Sequence, residues 1–406
     1  MKVRATFTGA FVALLAASIV GGAAARASQR QSVAYALAQI DQYMNVPTFA
    51  APGPAFDAKA AKGKSIFVVP SSSGTVPDLA SMKAFTGGIR QAGEAVGVKV
   101  TTCANNGSVK AQTACLNRAV SSRADLVVLV GSTNLVALDS ALAAVEKGKI
   151  PVLASHVLAP GDFTTGVDPS YRQALAGLTA TVPAPYAQAA RLMADYVIAT
   201  TNGAATTVGL VGASDLPESN AMLAVVQSEF SSQCGSSCTV LTPVDLPTYD
   251  WQSQAYSAIK NLTLARTTNY LLPMFDQFDD LAAEGESDAR DSLSSVTRPN
   301  VCSYGGAPFA IQMGQAANRV VCDVGENMTW DGWATMDQAL RILTGTKPLT
   351  SENLPLRLFT AANWFAETGS GAMTFPPVLG AGWGDPSQFT DGYEALWGLA
   401  AKGAST

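Results

Sequence analysis

Ser65-Ile-Phe-Val-Val-Pro-Ser-Ser-Ser-Gly74 and, in the second half of the chain, Thr207-Val-Gly-Leu-Val-Gly-Ala-Ser-Asp215 share one shape. Each is an apolar run that breaks into a small polar loop ahead of a helix-like segment. Each also opens its own series of strand–helix units. The strands are continuous apolar runs without alternation, the pattern of a parallel sheet whose two faces are covered by helices. Units of roughly thirty residues suit right-handed βαβ crossovers. The expected fold is therefore α/β, with two doubly wound parallel-sheet lobes. Polar strand ends and helix N-termini on each lobe predict a ligand held in the cleft between them.

Working outward from the first run, strands are expected at 65–70, 98–103, 125–131 and 151–155, with helices over 77–96, 108–121 and 134–147. Residues 157–176 contain Pro, Gly and Asp and read as loop. A fifth strand at 178–182 is stopped by Pro183-Ala-Pro185, which marks a passage between lobes before a helix from Tyr186 to 200. The second lobe repeats the rhythm, with strands at 206–211, 239–244, 269–274, 299–304 and 319–324 and a helix over 330–343. At the other end, 28–44 reads as a short amphipathic helix, followed by an extended, proline-broken lead-in from Pro47 to Pro54. Residues 347–406, rich in Gly, Pro and Trp, have no predicted placement.

The chain has 406 residues, enough for two cores. Its hydrophobic fraction is 48%, only 14% of residues are charged and the net charge is −5, so the chain is globular and no basic patch invites nucleic acid. Residues 1–27 read as an export signal: Lys2 and Arg4, an apolar stretch from Phe7 to Val20, then Ala25-Arg26-Ala27, with cleavage expected before Ser28. A retained anchor is the competing reading, disfavoured because Thr8, Gly9 and Ser18 interrupt the stretch. No Cys follows it, so no lipid anchor is expected, and the exported chain is periplasmic, extracellular or cell-wall associated. The six cysteines suit an oxidising compartment. Proximity ranks Cys103–Cys115, Cys234–Cys238 and Cys302–Cys322 first among the fifteen connectivities that six cysteines allow. A metal site at Cys234 and Cys238 lacks a second ligand pair.

Catalytic signatures fail. Gly63-Lys64-Ser65 ends like a P-loop, but Lys occupies position 59 where Gly is required, and it precedes its strand. There is no Gly-x-Ser-x-Gly elbow and no Gly-x-Gly-x-x-Gly turn after the first strand. His156, the sole histidine, follows a strand end and is a candidate ligand contact; as a general base it would need Ser73 or Ser132. Strand ends gather Ser72, Ser73, Ser132, Thr133, Asn134 and His156 in the first lobe. In the second they gather Asp215, Asn220, Tyr249, Trp251, Phe275 and Asp276. Such neutral hydrogen-bonding groups and ring faces suit a small polar organic ligand. Singly, each also has a plain structural reading, as an N-cap or a core aromatic.

Over residues 62–345 the order of units resembles the type I periplasmic binding proteins, specifically the ribose-type sugar receptors of ABC importers. The resemblance rests on Lys64-Ser-Ile-Phe-Val-Val-Pro-Ser-Ser-Ser, Ala124-Asp-Leu-Val-Val-Leu-Val-Gly, Gly148-Lys-Ile-Pro-Val-Leu and Ala189-Ala-Arg-Leu-Met-Ala-Asp-Tyr. Val324-Gly-Glu-Asn and Gly332-Trp-Ala-Thr-Met-Asp-Gln-Ala-Leu complete it. It implies a three-crossing hinge near Pro183–Tyr186, Tyr304–Ala307 and Glu326–Trp330, which adds Tyr186, Tyr304 and Glu326 to the candidate contacts. The implied division is a signal peptide at 1–27, an extension at 28–61, a first lobe of 62–183 with 305–326, and a second of 184–304 with 327–346, leaving 347–406 as a C-terminal extension. The implied role is a monomeric receptor, without catalysis or cofactor, that delivers a sugar, polyol or sugar-like or aromatic metabolite to a membrane permease. A ligand sensor for a signalling partner and a secreted hydrolase are the alternatives. The chain also departs from the pattern: His156-Val157 replaces Asp-Arg, Asn220 an Arg, Gly305 an Asp and Glu326 a Gln, while Tyr249 keeps an aromatic. Losing bidentate charged donors weakens the case for an ordinary sugar ring.

Overall fold

Strand β1 (Ser65–Pro70) shows why the first repeat becomes a buried sheet. Ile66 and Val68 pack on one side and Phe67 and Val69 on the other, each face under its own layer of helices. The computed structural model describes residues 29–71, 79–131, 133–163, 167–204, 206–265, 268–279, 299–316, 320–364 and 386–399. Within them the first sheet runs β2 (Lys99–Thr102), β1, β3 (Leu126–Val130), β4 (Val152–Val157), β5 (Ala180–Pro183), all parallel. Its helices are α2 (Leu79–Val96), α3 (Val109–Ser121), α4 (Asp139–Lys147) and α5 (Pro169–Ala176), preceded in the chain by α1 at 29–41. Helix α5 lies where a loop is expected. Asp168 caps it by accepting from the Ser170 amide at 2.8 Å, and Pro169 fills its first position, a start signal present in the sequence.

The second sheet runs β12 (Leu356–Thr360), β11 (Val320–Glu326), β10 (Asn300–Gly305), β9 (Tyr270–Pro273), β6 (Thr206–Gly212), β7 (Cys238–Val240), and β8 (Val244–Asp245) also pairs with β6. Among the described strands only β12 is antiparallel to its neighbour. The strand expected at 239–244 is two strands, because Pro243 offers no N–H to the ladder. Helices α6 (Tyr186–Thr200), α7 (Pro217–Glu229), α8 (Trp251–Ala265) and α9 (Pro308–Gln315) belong to this lobe.

The expected division of the chain after β10 is reversed. Residues 305–326 stay with the second sheet, where β11 pairs with β10 along Val301–Gly305. Helix α10 (Met328–Thr344) instead packs along α2 in the first lobe. Two glycines permit that approach: a Cβ on Gly88 would lie 2.4 Å from the Thr329 carbonyl, and one on Gly332 2.5 Å from that of Phe85. Consequently 304–307 is not a crossing. The chain passes between lobes at 183–186, at 326–328, and again from α10 to β12.

The terminal extensions also find places. Helix α11 (Pro386–Leu396) returns to the first lobe, where Phe389, Tyr393 and Trp397 pack on Trp330 and Trp333. On the amino-terminal side, the Tyr43 carbonyl accepts from Leu358 N and that of Met44 from Asn363 Nδ2, both at 2.8 Å on the second lobe. A few residues on, Phe49 sits against Trp330 and Tyr393, and Phe56 N donates to the Leu396 carbonyl on the first lobe. The segment is thus a strap across both lobes. Disulfides join Cys103–Cys115, Cys234–Cys238 and Cys302–Cys322, the three sequence-local pairs. Among the described residues no helix is long and apolar enough to cross a membrane.

Candidate functional site

The C-terminal ends of β4 and β11 point toward each other across the gap between sheets. At the end of β4 the register slips between Ser155 and Val157, and His156 adopts φ +62°. This one-residue bulge, in a backbone region that non-glycine residues enter at a cost on the order of 1 kcal/mol, turns the imidazole out of the strand's alternation. His156 Nε2 meets Glu326 Oε2 at 2.5 Å, and its Nδ1 lies 2.8 Å from the Tyr186 hydroxyl. Glu326 is the last residue of β11, and Tyr186 opens α6 just after the first crossing. One hydrogen-bonded chain therefore ties a first-lobe strand end to two hinge segments.

Aromatic rings extend this chain in both directions. Phe85 stands edge-on to His156 at 5.8 Å, Tyr186 to Tyr304 at 5.6 Å, and Phe275 lies 6.3 Å from Tyr304 and 6.2 Å from Trp251. Burial, then the Glu326 carboxylate and Tyr186, push the Tyr304 phenol well above its ordinary value. Beneath the cluster lies Asp331, in the first turn of α10. Asn327 caps that helix through a 3.1 Å bond from Trp330 N, and the turn brings Asp331 back beside Glu326. Asp331 is fully buried and neither carboxyl oxygen accepts a hydrogen bond. Burial and the Glu326 charge push it well above the usual carboxylate range. On the first-lobe side, Ser155 Oγ and Thr335 Oγ1, 2.6 Å apart, pin β4 to α10.

Of the candidate contacts, His156, Tyr186, Phe275, Tyr304 and Glu326 come together here. Asp276 is next to them but is engaged by the fold: its Oδ2 accepts from Ala307 N at 2.7 Å, and a Cβ on Gly305 would lie 2.3 Å from that oxygen. Thr133 is buried, with no hydrogen bond to its hydroxyl. Asn134 caps the turn ahead of α4 by accepting from Ala137 N. Asn220 donates to the Ser214 carbonyl at 3.0 Å, and Asp215 accepts from Thr248 N, so both serve local turns. Tyr249 falls in the short turn Thr248–Asp250. Ser72, Ser73 and Ser132 lie outside the described residues. Sequence reasoning missed Asp331 and Phe85; the carboxylate placed one residue before Gly332 was the available signal. A second contact between lobes runs from the Tyr171 hydroxyl on α5 to Glu218 Oε1 on α7, at 3.1 Å.

This arrangement is the fold of the type I periplasmic binding proteins: two α/β lobes, strand ends facing across a hinge. No protein-family model matches the chain, and no curated protein matches it in sequence. Solved structures match the fold. A periplasmic ribose ABC transporter protein from Conexibacter woesei superposes with a TM-score of 0.60 at 16% identity, over 79% of this chain and 97% of that one. A 5-methylthioribose transporter solute-binding protein from Thermotoga lettingae, in complex with 5-methylthioribose, gives 0.61 at 14% identity, covering 80% and 97%. A protein from Mycobacterium smegmatis in complex with β-D-fucofuranose gives 0.56 at 14%, covering 76% and 95%.

Proposed function

We propose that this chain is an exported solute-binding receptor that closes on one small polar organic molecule and hands it to an ABC import permease, without covalent chemistry. The observation that carries the reading is the meeting of His156 and Glu326, one from each lobe, at strand ends beside the hinge. Hinge closure around such a seam converts ligand contacts into a change of lobe orientation that a partner can read. The solved neighbours named above have ribose transport, 5-methylthioribose and fucofuranose in their descriptions, which favours a sugar or sugar-like solute. Phe275, Tyr304 and Tyr186 supply ring faces for C–H surfaces, and His156 and Glu326 supply polar floor groups. Asp276, which lies over Gly305 while accepting from Ala307 N, would stand in for the carboxylate that the family resemblance expects at 305. Thr133 and Asn220 and, from the sequence pattern, Ser72, Ser73, Ser132 and Tyr249 complete the proposed ligand contacts.

The hydrolase alternative loses support from the same geometry. Both ring nitrogens of His156 are engaged, by Glu326 and by Tyr186, which leaves none facing a serine nucleophile. A thermal-shift screen in chelator, over pentoses, hexoses in both ring forms, polyols and aromatic acids, tests the receptor reading. A true ligand at about 100 times its Kd raises stability by about 2.7 kcal/mol. If no compound in any class moves the transition or the tryptophan fluorescence, the receptor reading fails.

A further inference from the structure

His156, Glu326 and Asp331 offer an imidazole nitrogen and two carboxylate oxygens, all within 4.8 Å of one another. They converge from separate parts of the chain: the bulged end of β4, the end of β11, and the first turn of α10. The side chain of Glu326 is fully buried and that of His156 is 14% exposed. Asp331 is buried with both oxygens unbonded. A buried carboxylate normally has a hydrogen-bond donor, a cationic side chain or a metal ion as partner. Among the described residues Asp331 has neither of the first two.

We propose that His156, Glu326 and Asp331 hold a divalent transition-metal ion, of the Zn²⁺ or Mn²⁺ class, across the hinge. One neutral imidazole and two carboxylates balance a 2+ charge, and the nitrogen–oxygen set suits these ions over the softer thiolate-seeking ones. The outer partner is in place as well. The Tyr186 hydroxyl oxygen, 2.8 Å from His156 Nδ1, can accept its N–H once a metal ion takes the Nε2 lone pair, the outer partner that metal-ligating histidines use. Without an ion, His156 Nε2–H donates to Glu326 Oε2 across this 2.5 Å contact, so binding the ion exchanges that proton for the metal. Bonds of about 2.0–2.2 Å to zinc place neighbouring ligand atoms roughly 3.3 Å apart, so His156 and Glu326 open by less than about 1 Å to receive it. Because His156 and Asp331 ride on the first lobe and Glu326 ends the second sheet, the ion fastens the two lobes at the hinge. The inference is independent of the receptor reading, since ion binding is measured with no solute present.

The test uses the purified protein, stripped with EDTA and titrated calorimetrically with Zn²⁺, Mn²⁺ and, as control, Mg²⁺. One Zn²⁺ or Mn²⁺ per chain is expected, with affinity falling about tenfold or more in both Asp331→Asn and Glu326→Gln. Anomalous diffraction from wild-type crystals soaked in Zn²⁺ decides the matter even if a variant fails to fold: a peak among the three side chains is expected. No saturable binding, undiminished binding in both variants, or a peak elsewhere only would overturn the proposal.

Discussion

Two regions bury carboxylates around the same helix, α10, and treat them in opposite ways. At the outer end, Asp337 accepts from Arg341 Nε through Oδ2 and from Trp397 Nε1 through Oδ1, both at 2.7 Å. Arg341 also lies over the Phe56 ring and donates to the Pro54 carbonyl, and Trp333 stacks on Trp397 at 5.4 Å. Nearby Glu352 has its pKa pushed up to about 10, by burial and then by the Asp337 charge, so it is neutral at physiological pH. Fewer than two turns of α10 separate Asp337 from Asp331 at the cleft end, through residues that face the same first-lobe core. There Asp331 accepts nothing, Glu326 crowds it, and His156 sits in a left-handed bulge. At the outer end Asp337 is paired at both oxygens and holds the terminal extensions in place, while both oxygens of Glu352, whose pKa is pushed up, accept nothing. The other keeps unsatisfied groups at the seam between lobes, the pattern of a site and not of a core.

Breaking the satisfied end should have the largest effect. Arg341→Ala leaves Asp337 buried without its cation and should cost about 3–5 kcal/mol in urea unfolding. A loss below about 1 kcal/mol would mean that water replaces the pair and that the two ends are not distinct. Thr335→Val removes the bond to buried Ser155 and should cost about 1–3 kcal/mol, with the seam shifted enough to alter tryptophan fluorescence.

Glu352 sharpens the comparison through pH. Its folded pKa is raised from 4.5 to about 10, so its contribution is fully present below pH 4.5 and declines as pH rises toward 10. Glu352→Gln should therefore be neutral at pH 4 and raise Tm at pH 8, flattening the decline of wild-type stability between them. An unchanged slope would place the titrating group elsewhere. The smallest effect belongs to Asp331→Asn in chelator. Its raised pKa makes its contribution fully present below the unfolded value of 3.8 and declining as pH rises above it, so the amide should be neutral in acid and raise Tm at neutral pH. A marked loss would show Asp331 to be a structural anchor like Asp337.

Much of the architecture was legible because periodicity and punctuation are local. β1 occupies the expected 65–70, and Pro183-Ala-Pro185 does end β5 and start the passage to α6. The expected helix near 28–44 is present at 29–41, and the nearest-neighbour cysteine pairs form the three bridges. Helix α5 was missed although Asp168-Pro169 announced it, because its short apolar face, Tyr171 and Leu175, gives a weak period. In the site, a lone histidine at a strand end and an acid at the hinge stood out as residue types. Asp331 did not, since an Asp inside a helical pattern reads as a solvent face until packing shows it buried.

The sequence by itself determined most strands and helices between 65 and 344, that there are two sheets, and that each carries polar strand ends. It did so because side-chain periods of two and 3.6 and the backbone limits of proline act over a few residues. Only the tertiary structure decided that β11 joins the second sheet while α10 crosses to the first, and that the terminal extensions strap both lobes. It alone brought His156 to Glu326, 170 residues away, with Asp331 beneath them. An apolar stripe states that a face will be buried but not against what, and strand pairing is chosen by contacts between distant segments that no local pattern encodes.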